Sequence, residues 1–227
     1  MTAALVAAIA RDCAAGGLDL IATCAAADYD AVVPPEVRLP DVGRPRALVI
    51  VIGNSRRLWP HVVAAAGSAA PVDDHVEAVV GGAVERALGP LAPRPRCELR
   101  FAPEPPPRRI AMQRLAHVAG LAWLAPSHLC VHPTFGPWIA LRAAVVLDLE
   151  GPPPPPLSPP CECATGCGPA LERALAAGTP GDTAELRERW RLWLAVRDAC
   201  PVGRAHRYGE HQIRYHYTGD RTVLLPD

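Results

Sequence analysis

The run RALVIVIGN at residues 46–54 imposes the strongest constraint on how this chain folds. It is a continuous β-branched and aliphatic stretch that ends at Gly53-Asn54, which is the pattern of a strand buried on both faces. A second apolar run, WIALRAAVVLDL at 138–149, predicts a long strand that leaves a turn formed by PTFGP. The segment HLCVH enters that turn, so we expect a β-hairpin here.

The remaining patterns mix helices with strands. Strands are predicted at 18–23 and 96–102, and helices at 2–15, after Ser55, and at 73–88, 110–125 and 183–199. We therefore expect an α+β fold with a mixed antiparallel sheet flanked by helices, because no regular βαβ repeat is present. The sequence contains no G-x-G-x-x-G or P-loop motif, so neither a Rossmann nor a P-loop site has support.

A proline-rich stretch, EGPPPPPLSPP at 150–160, divides the chain, since it favours an extended polyproline linker over a packed element. We interpret 1–150 as a core and 151–181 as a Pro/Cys-rich linker. Residues 182–227 are expected to be a helix and an Arg/Tyr-rich cap that complete the same domain.

Charge and hydropathy exclude several classes of function. The net charge is zero and all 23 basic residues are arginines, which argues against a nucleic-acid-binding surface and leaves no lysine for Schiff-base chemistry. The apolar runs are shorter than a membrane span, and the N-terminus lacks the basic region of a signal peptide. We therefore expect a cytoplasmic protein without membrane or nucleic-acid partners, either a monomer or a weak homodimer.

Two polar residues interrupt apolar elements. Arg142 lies inside the second strand, where a guanidinium needs an anionic partner. That partner is either an internal carboxylate, such as Asp148 or Glu150, or the carboxylate or phosphate of a ligand. His117 lies in the 110–125 helix, either as a core histidine bonded to a backbone carbonyl or as a polar group that meets a buried ligand.

Four cysteines lie late in the chain. Cys161, Cys163 and Cys167 are separated by one and three residues, and Cys200-Pro201 follows far downstream. This spacing departs from standard iron–sulfur patterns, so we expect no metal here and keep a cluster or zinc at these four residues as the alternatives.

RLAHVAGLAW (114–123) followed by HLCVHPTFGPWIALRAAVVL (128–147) resembles the CblC (MMACHC) family of cobalamin-processing proteins. The family pattern is a His-Val-Ala-Gly helix and then Cys-Ile-His-Pro-x-Phe-Gly-Gly-Trp-x-x-x-Arg. The resemblance extends to DYDAVVPPEVRLP and APVDDHVEAVV upstream, and to VRDA and RYGEHQIRYHY downstream, so it covers nearly the whole chain.

The resemblance implies a nitroreductase-like fold that binds cobalamin base-off. It implies an enzyme that removes the upper ligand, by reductive decyanation with electrons from FMN or FAD and by glutathione-dependent dealkylation. The residues implied for cobalamin binding are Ile110, Ala111, Met112, Gln113, His117, Leu124, Ala125, Pro126, Cys130 and Leu141. Those implied for glutathione are Arg142, Arg197 and Arg221, with His132, Trp138, Arg207 and Tyr208 in supporting positions. The implied partners are a flavin reductase and a downstream cobalamin-trafficking protein.

The sequence also departs from the family pattern. AWLAP replaces the aromatic run that follows the helix, and Pro137 stands where the turn has its second glycine. DACPVG and RYGEHQ are similar to the tail of ferredoxin-type proteins related to epoxyqueuosine reductase. Two alternatives therefore remain open, a non-catalytic corrinoid chaperone and a redox protein, either flavin-dependent or a cluster-less relative of corrinoid iron–sulfur reductases.

Overall fold

The computed structural model describes residues 2–161, 166–177 and 183–225, with only the backbone described for 183–188. The helices are α1 Thr2–Ala15, α2 Ala26–Asp30, α3 Trp59–Ala64, α4 Pro71–Leu88, α5 Met112–Val118, α6 Gly168–Ala176, α7 Thr183–Asp198 and α8 Glu210–Thr218. The strands are β1 Leu20–Ala25, β2 Ala47–Asn54, β3 Cys97–Phe101, β4 Trp123–Leu124, β5 Cys130–Val131 and β6 Ala140–Glu150.

A four-stranded antiparallel sheet in the order β1-β2-β6-β3 forms the centre of the fold. Every residue of β2 is buried, so the prediction of a strand covered on both faces is confirmed. Strand β6 pairs with β2 along almost its whole length, with Val146 opposite Val49. These two strands alternate their apolar side chains between two separate hydrophobic clusters, as the two-residue period of a strand requires.

Helices cover both faces of this sheet. On one face, Leu48, Ile50 and Val145 pack against α1, α3 and α4. On the other face, Val49 and Val146 pack against α2, α5 and the segment before α5. The expected α+β fold with a helix-flanked antiparallel sheet is therefore confirmed, and α5 lies on the second face.

The helix predicted at 110–125 is shorter than expected. It ends at Val118, and Gly120 adopts a left-handed φ of +73°. A left-handed glycine stops a helix by turning the chain, and here it leads into β4. The apolar composition of 119–125 belongs instead to a buried turn and a short strand, with Ala119, Leu121 and Ala122 in the core.

The segment at 128–149 is not a β-hairpin in which its two arms pair. Strand β5 pairs with β4, whereas β6 belongs to the central sheet. Only a local bridge between His132 and Gly136 closes the turn, with backbone hydrogen bonds in both directions. The turn therefore connects two sheets.

The C-terminal segment packs back onto the rest of the chain. Trp138 shares a buried cluster with Leu194, Tyr208 and Ile213. Helix α7 confirms the helix predicted at 183–199, and α6, which lies before it, was not among the predicted elements. Within the described ranges, none of the helices has the length and apolar character needed to cross a membrane.

The turn at 132–136 is held against the C-terminal segment by two glycines. Gly136 has a φ of +58°, and a Cβ there would lie 1.9 Å from the carbonyl oxygen of Val202. Gly203 has a φ of +72°, and a Cβ there would lie 2.2 Å from the carbonyl carbon of Phe135. Both positions need glycine because the two backbones are in direct contact.

Candidate functional site

Two adjoining cavities lie where the start of α5 meets β5 and the start of β6. The larger has a volume of about 460 Å³ and the smaller about 280 Å³, and both are lined by Met112 and Gln113. Their shared wall makes them two lobes of one site, which we call the double cavity. Concave surfaces of this size that combine apolar and polar side chains are typical of small-molecule sites.

Most of the residues implied for cobalamin binding line the double cavity. The larger lobe includes Ile110, Ala111, Met112, Gln113 and Leu124, and the smaller lobe includes Met112, Gln113, Cys130 and Leu141. Three others do not line either lobe: Ala125 is buried beside Cys200, Pro126 is exposed, and His117 contacts β4.

Tyr29 fixes the wall of the larger lobe. Its buried hydroxyl donates to the carbonyl oxygen of Val37 at 2.8 Å and accepts from the backbone N–H of Ala111 at 2.8 Å. Val37 and Ala111 both line that lobe. The DYDAVVPPEVRLP segment thus supports the wall through Tyr29 rather than through a charged residue.

Cys130 supplies a thiol to the smaller lobe. Burial raises its pKa to about 12, so the group stays protonated at neutral pH. Its Sγ donates to the backbone carbonyl of Gln113 at 3.7 Å, and the Gln113 amide donates to the carbonyl of His128 at 2.8 Å. A protonated thiol is a weak metal ligand, so Cys130 contributes a wall contact and not a strong ligand.

His117 connects α5 to β4. Its Nδ1 accepts a hydrogen bond from the backbone N–H of Leu124 at 3.2 Å, and its ring lies edge-on to Trp123. The histidine is therefore bonded to a backbone group, although to an N–H rather than the carbonyl expected for a core histidine. Burial, followed by the charge of Arg114, lowers its pKa, which favours the neutral ring that this bond needs.

Arg142 lies in β6 and forms no salt bridge with a carboxylate of the described residues. Its Nε donates to Oδ1 of the buried Asn54 at 2.6 Å, while its solvent-inaccessible Nη2 has no hydrogen-bond partner. The internal partners considered from sequence, Asp148 and Glu150, instead pair with other arginines at the surface. These two candidates are wrong, because both carboxylates lie near the far end of β6. Another internal carboxylate, that of Asp73, lines the small cavity beside Arg142 and interacts with it electrostatically, without a salt bridge among the described residues.

Arg197 and Tyr208 add two more unpaired donors near Arg142. Arg197 donates through Nη2 to the carbonyls of Pro137 and Ile139 at 2.6 and 3.2 Å, while its buried Nε has no partner. The buried hydroxyl of Tyr208 also lacks a partner, and burial raises its pKa while Arg197 and Arg142 act in the opposite direction. Among the described residues these are three buried donors without a hydrogen-bond partner, two of them on cations, and such donors favour binding of an anion.

The cavities beside Arg197 and Arg142 differ in volume. Arg197 lines the 280 Å³ lobe, whereas the cavity beside Arg142 measures only about 10 Å³. The latter holds about one water molecule. A ligand that enters from the double cavity therefore meets Arg197 first, and it must displace side chains to reach Arg142.

The other predicted anion-binding and supporting residues have partners within the fold. Arg221 donates to backbone carbonyls just after α3, including that of Ala66 at 2.9 Å. Arg207 pairs with Asp198 and Glu210, which raise its pKa. Trp138 is buried, with the guanidinium carbons of Arg197 and Arg207 at 5.2 and 5.5 Å from a ring centroid. His132 Nδ1 accepts from the N–H groups of Thr134 and Phe135, so it shapes the turn.

The late cysteines gather beside β5. Cys200 is buried, with Cys161 packed against it and hydrogen-bonded to it, and burial raises the pKa of Cys200 to about 11. Cys167 is buried in an adjacent cluster, and Cys163 lies outside the described residues. Within the ranges that the structure covers, no three Cys, His, Asp or Glu side chains are arranged to hold a metal ion.

Several residues of the site were not identified from the sequence. They include Asn54, which holds Arg142, Arg109 and Arg114, which line the larger lobe, and His216, which lies near Arg142 and Arg197. A weak signal existed for Asn54, since a polar residue closes the buried strand β2. His216 has no local signal, because its neighbours in space come from distant segments.

Known proteins resemble this chain in sequence and in structure. The cyanocobalamin reductase / alkylcobalamin dealkylase of Bos taurus is 30% identical over 224 residues, which span 87% of this chain and 73% of that protein. A scan against models of protein families finds no match.

Among solved structures, a B12-trafficking protein CblC of C. elegans, described as a homologue of human MMACHC, superposes with a TM-score of 0.64 at 17% identity. That superposition covers 98% of this chain and 95% of the other. Epoxyqueuosine reductase from Streptococcus thermophilus gives a TM-score of 0.57 at 12% identity, over 95% of this chain and 77% of that one. At these identities the two likenesses establish the fold, which is nitroreductase-like.

Proposed function

The chain belongs to the cyanocobalamin reductase / alkylcobalamin dealkylase family, and from that premise we propose that it is an enzyme that binds cobalamin in the double cavity and removes its upper ligand. The observation that carries the placement is the shared wall of the two lobes at Met112 and Gln113. It joins residues from α5, β5 and β6 into one surface.

The walls suit a corrinoid held base-off. Ile110, Ala111 and Leu141 offer an apolar surface to the ring. Cys130 keeps its proton at neutral pH, because burial raises its pKa to about 12, so it does not compete as a strong cobalt ligand. In a corrinoid whose own lower base has left the cobalt, which is the base-off state, Cys130 would then not replace that base as a ligand.

We assign the anionic groups of glutathione to Arg197 and Arg142. The buried Nε of Arg197 and Nη2 of Arg142 can only donate hydrogen bonds, and the Tyr208 hydroxyl can also donate one. A carboxylate supplies the acceptors that these groups need. The thiol of a tripeptide anchored at Arg197 would lie close to the corrinoid, because Arg197 also lines the smaller lobe. Anchoring raises the local concentration of the thiol and orients it for attack on an alkyl group. Arg221 is the weakest member of the predicted set, since its guanidinium already binds backbone carbonyls.

Reductive decyanation needs electrons, which reduced FMN or FAD supplies. Because the double cavity is assigned to the corrinoid, we propose that the flavin is delivered by a flavin reductase partner. A downstream cobalamin-trafficking protein remains the expected acceptor of the product.

Visible spectra test the binding mode. Cyanocobalamin and methylcobalamin are mixed with the purified protein, and we expect the shift that accompanies release of the lower base. With reduced flavin or glutathione added, the upper ligand should then be lost. A chaperone would give the shift without turnover, and the absence of any shift at saturating protein would refute corrinoid binding.

The variant Arg142→Gln tests the thiol assignment. We expect cobalamin binding to persist, while apparent glutathione affinity in dealkylation falls by about ten- to a hundredfold through loss of a charge-assisted contact. Glutathione should raise the melting temperature of the wild type and not that of the variant. The matched control is Arg100→Gln, a largely buried arginine on β3 that is paired with Glu98. An Arg142→Gln protein that is less stable but keeps its thiol affinity would contradict the assignment.

A further inference from the structure

The larger lobe of the double cavity carries two arginines that form no salt bridge with any carboxylate in the described ranges. Arg109 lies in the loop before α5 and Arg114 lies on α5, and both are exposed residues that line this lobe. Neither has a salt bridge or a side-chain hydrogen bond to any residue in the described part of the chain. The rest of the lobe includes Ile110, Ala111 and Leu124, so an apolar surface adjoins two positive charges.

The arginine next to Arg109 in the sequence has carboxylate partners and lies outside the lobe. Arg108 precedes Arg109 directly but does not line the cavity, and it pairs with Glu104 at 2.8 Å and with Glu98 at 4.0 Å. Arg109 and Arg114 therefore keep their charge available on the cavity side, while the adjacent charge is balanced within the fold. Two unbalanced guanidinium groups at the edge of an apolar site favour a ligand with one anionic and one apolar part.

Cobalamin has such a part in its nucleotide loop. The loop links a benzimidazole, which is planar and apolar, to the corrin ring through a ribose and a phosphodiester. The amide side chains of the ring are neutral, so the phosphodiester is the anionic group at the periphery of the molecule.

We infer that Arg109 and Arg114 bind the phosphodiester of the nucleotide loop, with the base against the apolar wall, and so make the protein selective for corrinoids that carry this loop. The inference rests on the proposed function, since it assigns one end of the same ligand. In this arrangement the nucleotide loop of cobalamin lies in the larger lobe. The glutathione thiol approaches from the smaller lobe, which Arg197 lines.

Cobinamide, which keeps the corrin ring but lacks the nucleotide loop, separates this role from general corrinoid binding. The double variant Arg109→Gln/Arg114→Gln is titrated with cyanocobalamin and with cyanocobinamide, and binding is followed by visible absorbance. We expect the Kd for cyanocobalamin to rise about tenfold or more, because two exposed charge-assisted contacts are lost. The Kd for cyanocobinamide should stay the same within error.

Ionic strength and a matched variant extend the test. Raising the salt concentration to about 0.5 M, where charges are screened within a few ångströms, should weaken binding of cyanocobalamin and leave cyanocobinamide unaffected. The same selective effect is expected from inorganic phosphate added as a competitor. The control Arg173→Gln removes an exposed arginine of α6 that lines neither lobe, and it should change neither Kd.

The outcomes distinguish this inference from the function on which it rests. Equal weakening of both corrinoids, or no weakening of either, overturns the role of the two arginines while corrinoid binding itself stands. If inorganic phosphate competes equally with both corrinoids, the arginines bind free phosphate and not the phosphodiester of the nucleotide loop. That result also overturns the inference. Failure of the wild-type protein to bind either corrinoid overturns the proposed function together with the inference.

Discussion

Two buried tyrosines differ in what their hydroxyl groups contact, and they form a natural pair of variants. The Tyr29 hydroxyl bonds to Val37 and Ala111, whereas the Tyr208 hydroxyl has no partner. Tyr29→Phe should lower the free energy of unfolding by about 1–3 kcal/mol, because a buried N–H and a buried carbonyl lose their partner. It should also weaken corrinoid binding, since both backbone groups belong to the wall of the larger lobe.

Tyr208→Phe removes a hydroxyl that is buried without a hydrogen bond. We expect its stability in urea to be unchanged or slightly raised, because an unsatisfied polar group is removed. The affinity for glutathione should nevertheless fall, because the variant cannot donate the proposed hydrogen bond to the ligand carboxylate. A marked loss of stability in Tyr208→Phe would show that the hydroxyl has a partner in solution, and it would remove one donor from the proposed thiol site.

The acid side of the stability profile depends on His216. Burial first, and then the positive charges of Arg142 and Arg197, lower its pKa from 6.5 to about 3. At a pH between about 3 and 6.5, His216 therefore binds a proton in the unfolded chain and stays neutral in the folded protein. The stability from the neutral ring is complete above about pH 6.5 and is lost as the pH falls from there towards 3.

The variant His216→Gln tests this pH dependence. Urea unfolding measured between pH 7 and pH 4 should show a shallower loss of stability in the variant than in the wild type. Other histidines contribute equally to both proteins, so the difference between the two profiles isolates His216. Identical slopes would mean that neither burial nor the charges of Arg142 and Arg197 lower the pKa of His216 in the folded protein.

At the scale of elements, the turn at 132–136 depends on contact between two backbones. Gly136→Ala places a Cβ against the Val202 carbonyl at a positive φ, so it should lower the free energy of unfolding by at least about 2 kcal/mol. The control is Gly81→Ala in α4, where an added Cβ meets nothing within 4 Å and helix propensity should raise stability by about 0.5–1 kcal/mol. Chemical denaturation of both variants measures the difference. A Gly136→Ala protein as stable as the wild type would contradict the close packing of this turn.

The elements that were predictable are those whose signal is local. Strands β2 and β6 follow from unbroken apolar runs, and α1 and α4 follow from their periodicity and end signals. The helix at 110–125 was overestimated because an apolar composition does not reveal that Gly120 turns left-handed. The pairing of β5 with β4 rather than with β6 was missed, since strand partners are chosen by packing between distant segments.

In the candidate site, too, the residues that were predictable are those with a local signal in the sequence. Residues 110–113 directly precede the His-Val-Ala-Gly helix motif, so the resemblance in that motif indicated them together. Arg142 was predictable as an anomaly because a charge inside an apolar strand is costly. Its partner Asn54, and the neighbouring His216, were not predictable, since β2, β6 and α8 meet only in the folded protein.

At the scale of the whole molecule, the site needs chain from both sides of the proline-rich segment. Arg197 and Tyr208 come from the C-terminal part, and Trp138 from the core packs with Tyr208 and Leu194. Leu224 also packs in the cluster beneath α1 and α4. These contacts lead to the prediction that 182–227 completes the domain of 1–150 and does not fold apart from it.

Cutting the chain between these parts tests that prediction. A specific protease site is inserted between Pro156 and Leu157, a stretch without regular secondary structure. After cleavage, the two pieces should elute together in gel filtration under native conditions and separate in urea. Dealkylation should survive the cut. Separation of the pieces without denaturant would show that the C-terminal part is an independent unit.

Arg197 touches both halves of the proposed reaction, since it lines the corrinoid lobe and also carries an unpaired donor assigned to the thiol. If one ligand shifts the position of this guanidinium, the affinity for the other ligand changes. The two affinities are then thermodynamically linked: bound cobalamin alters the affinity for glutathione by the same factor by which glutathione alters the affinity for cobalamin. Isothermal titration of each ligand in the presence of the other measures that factor, and the replacement of Arg197 by glutamine should bring it to one.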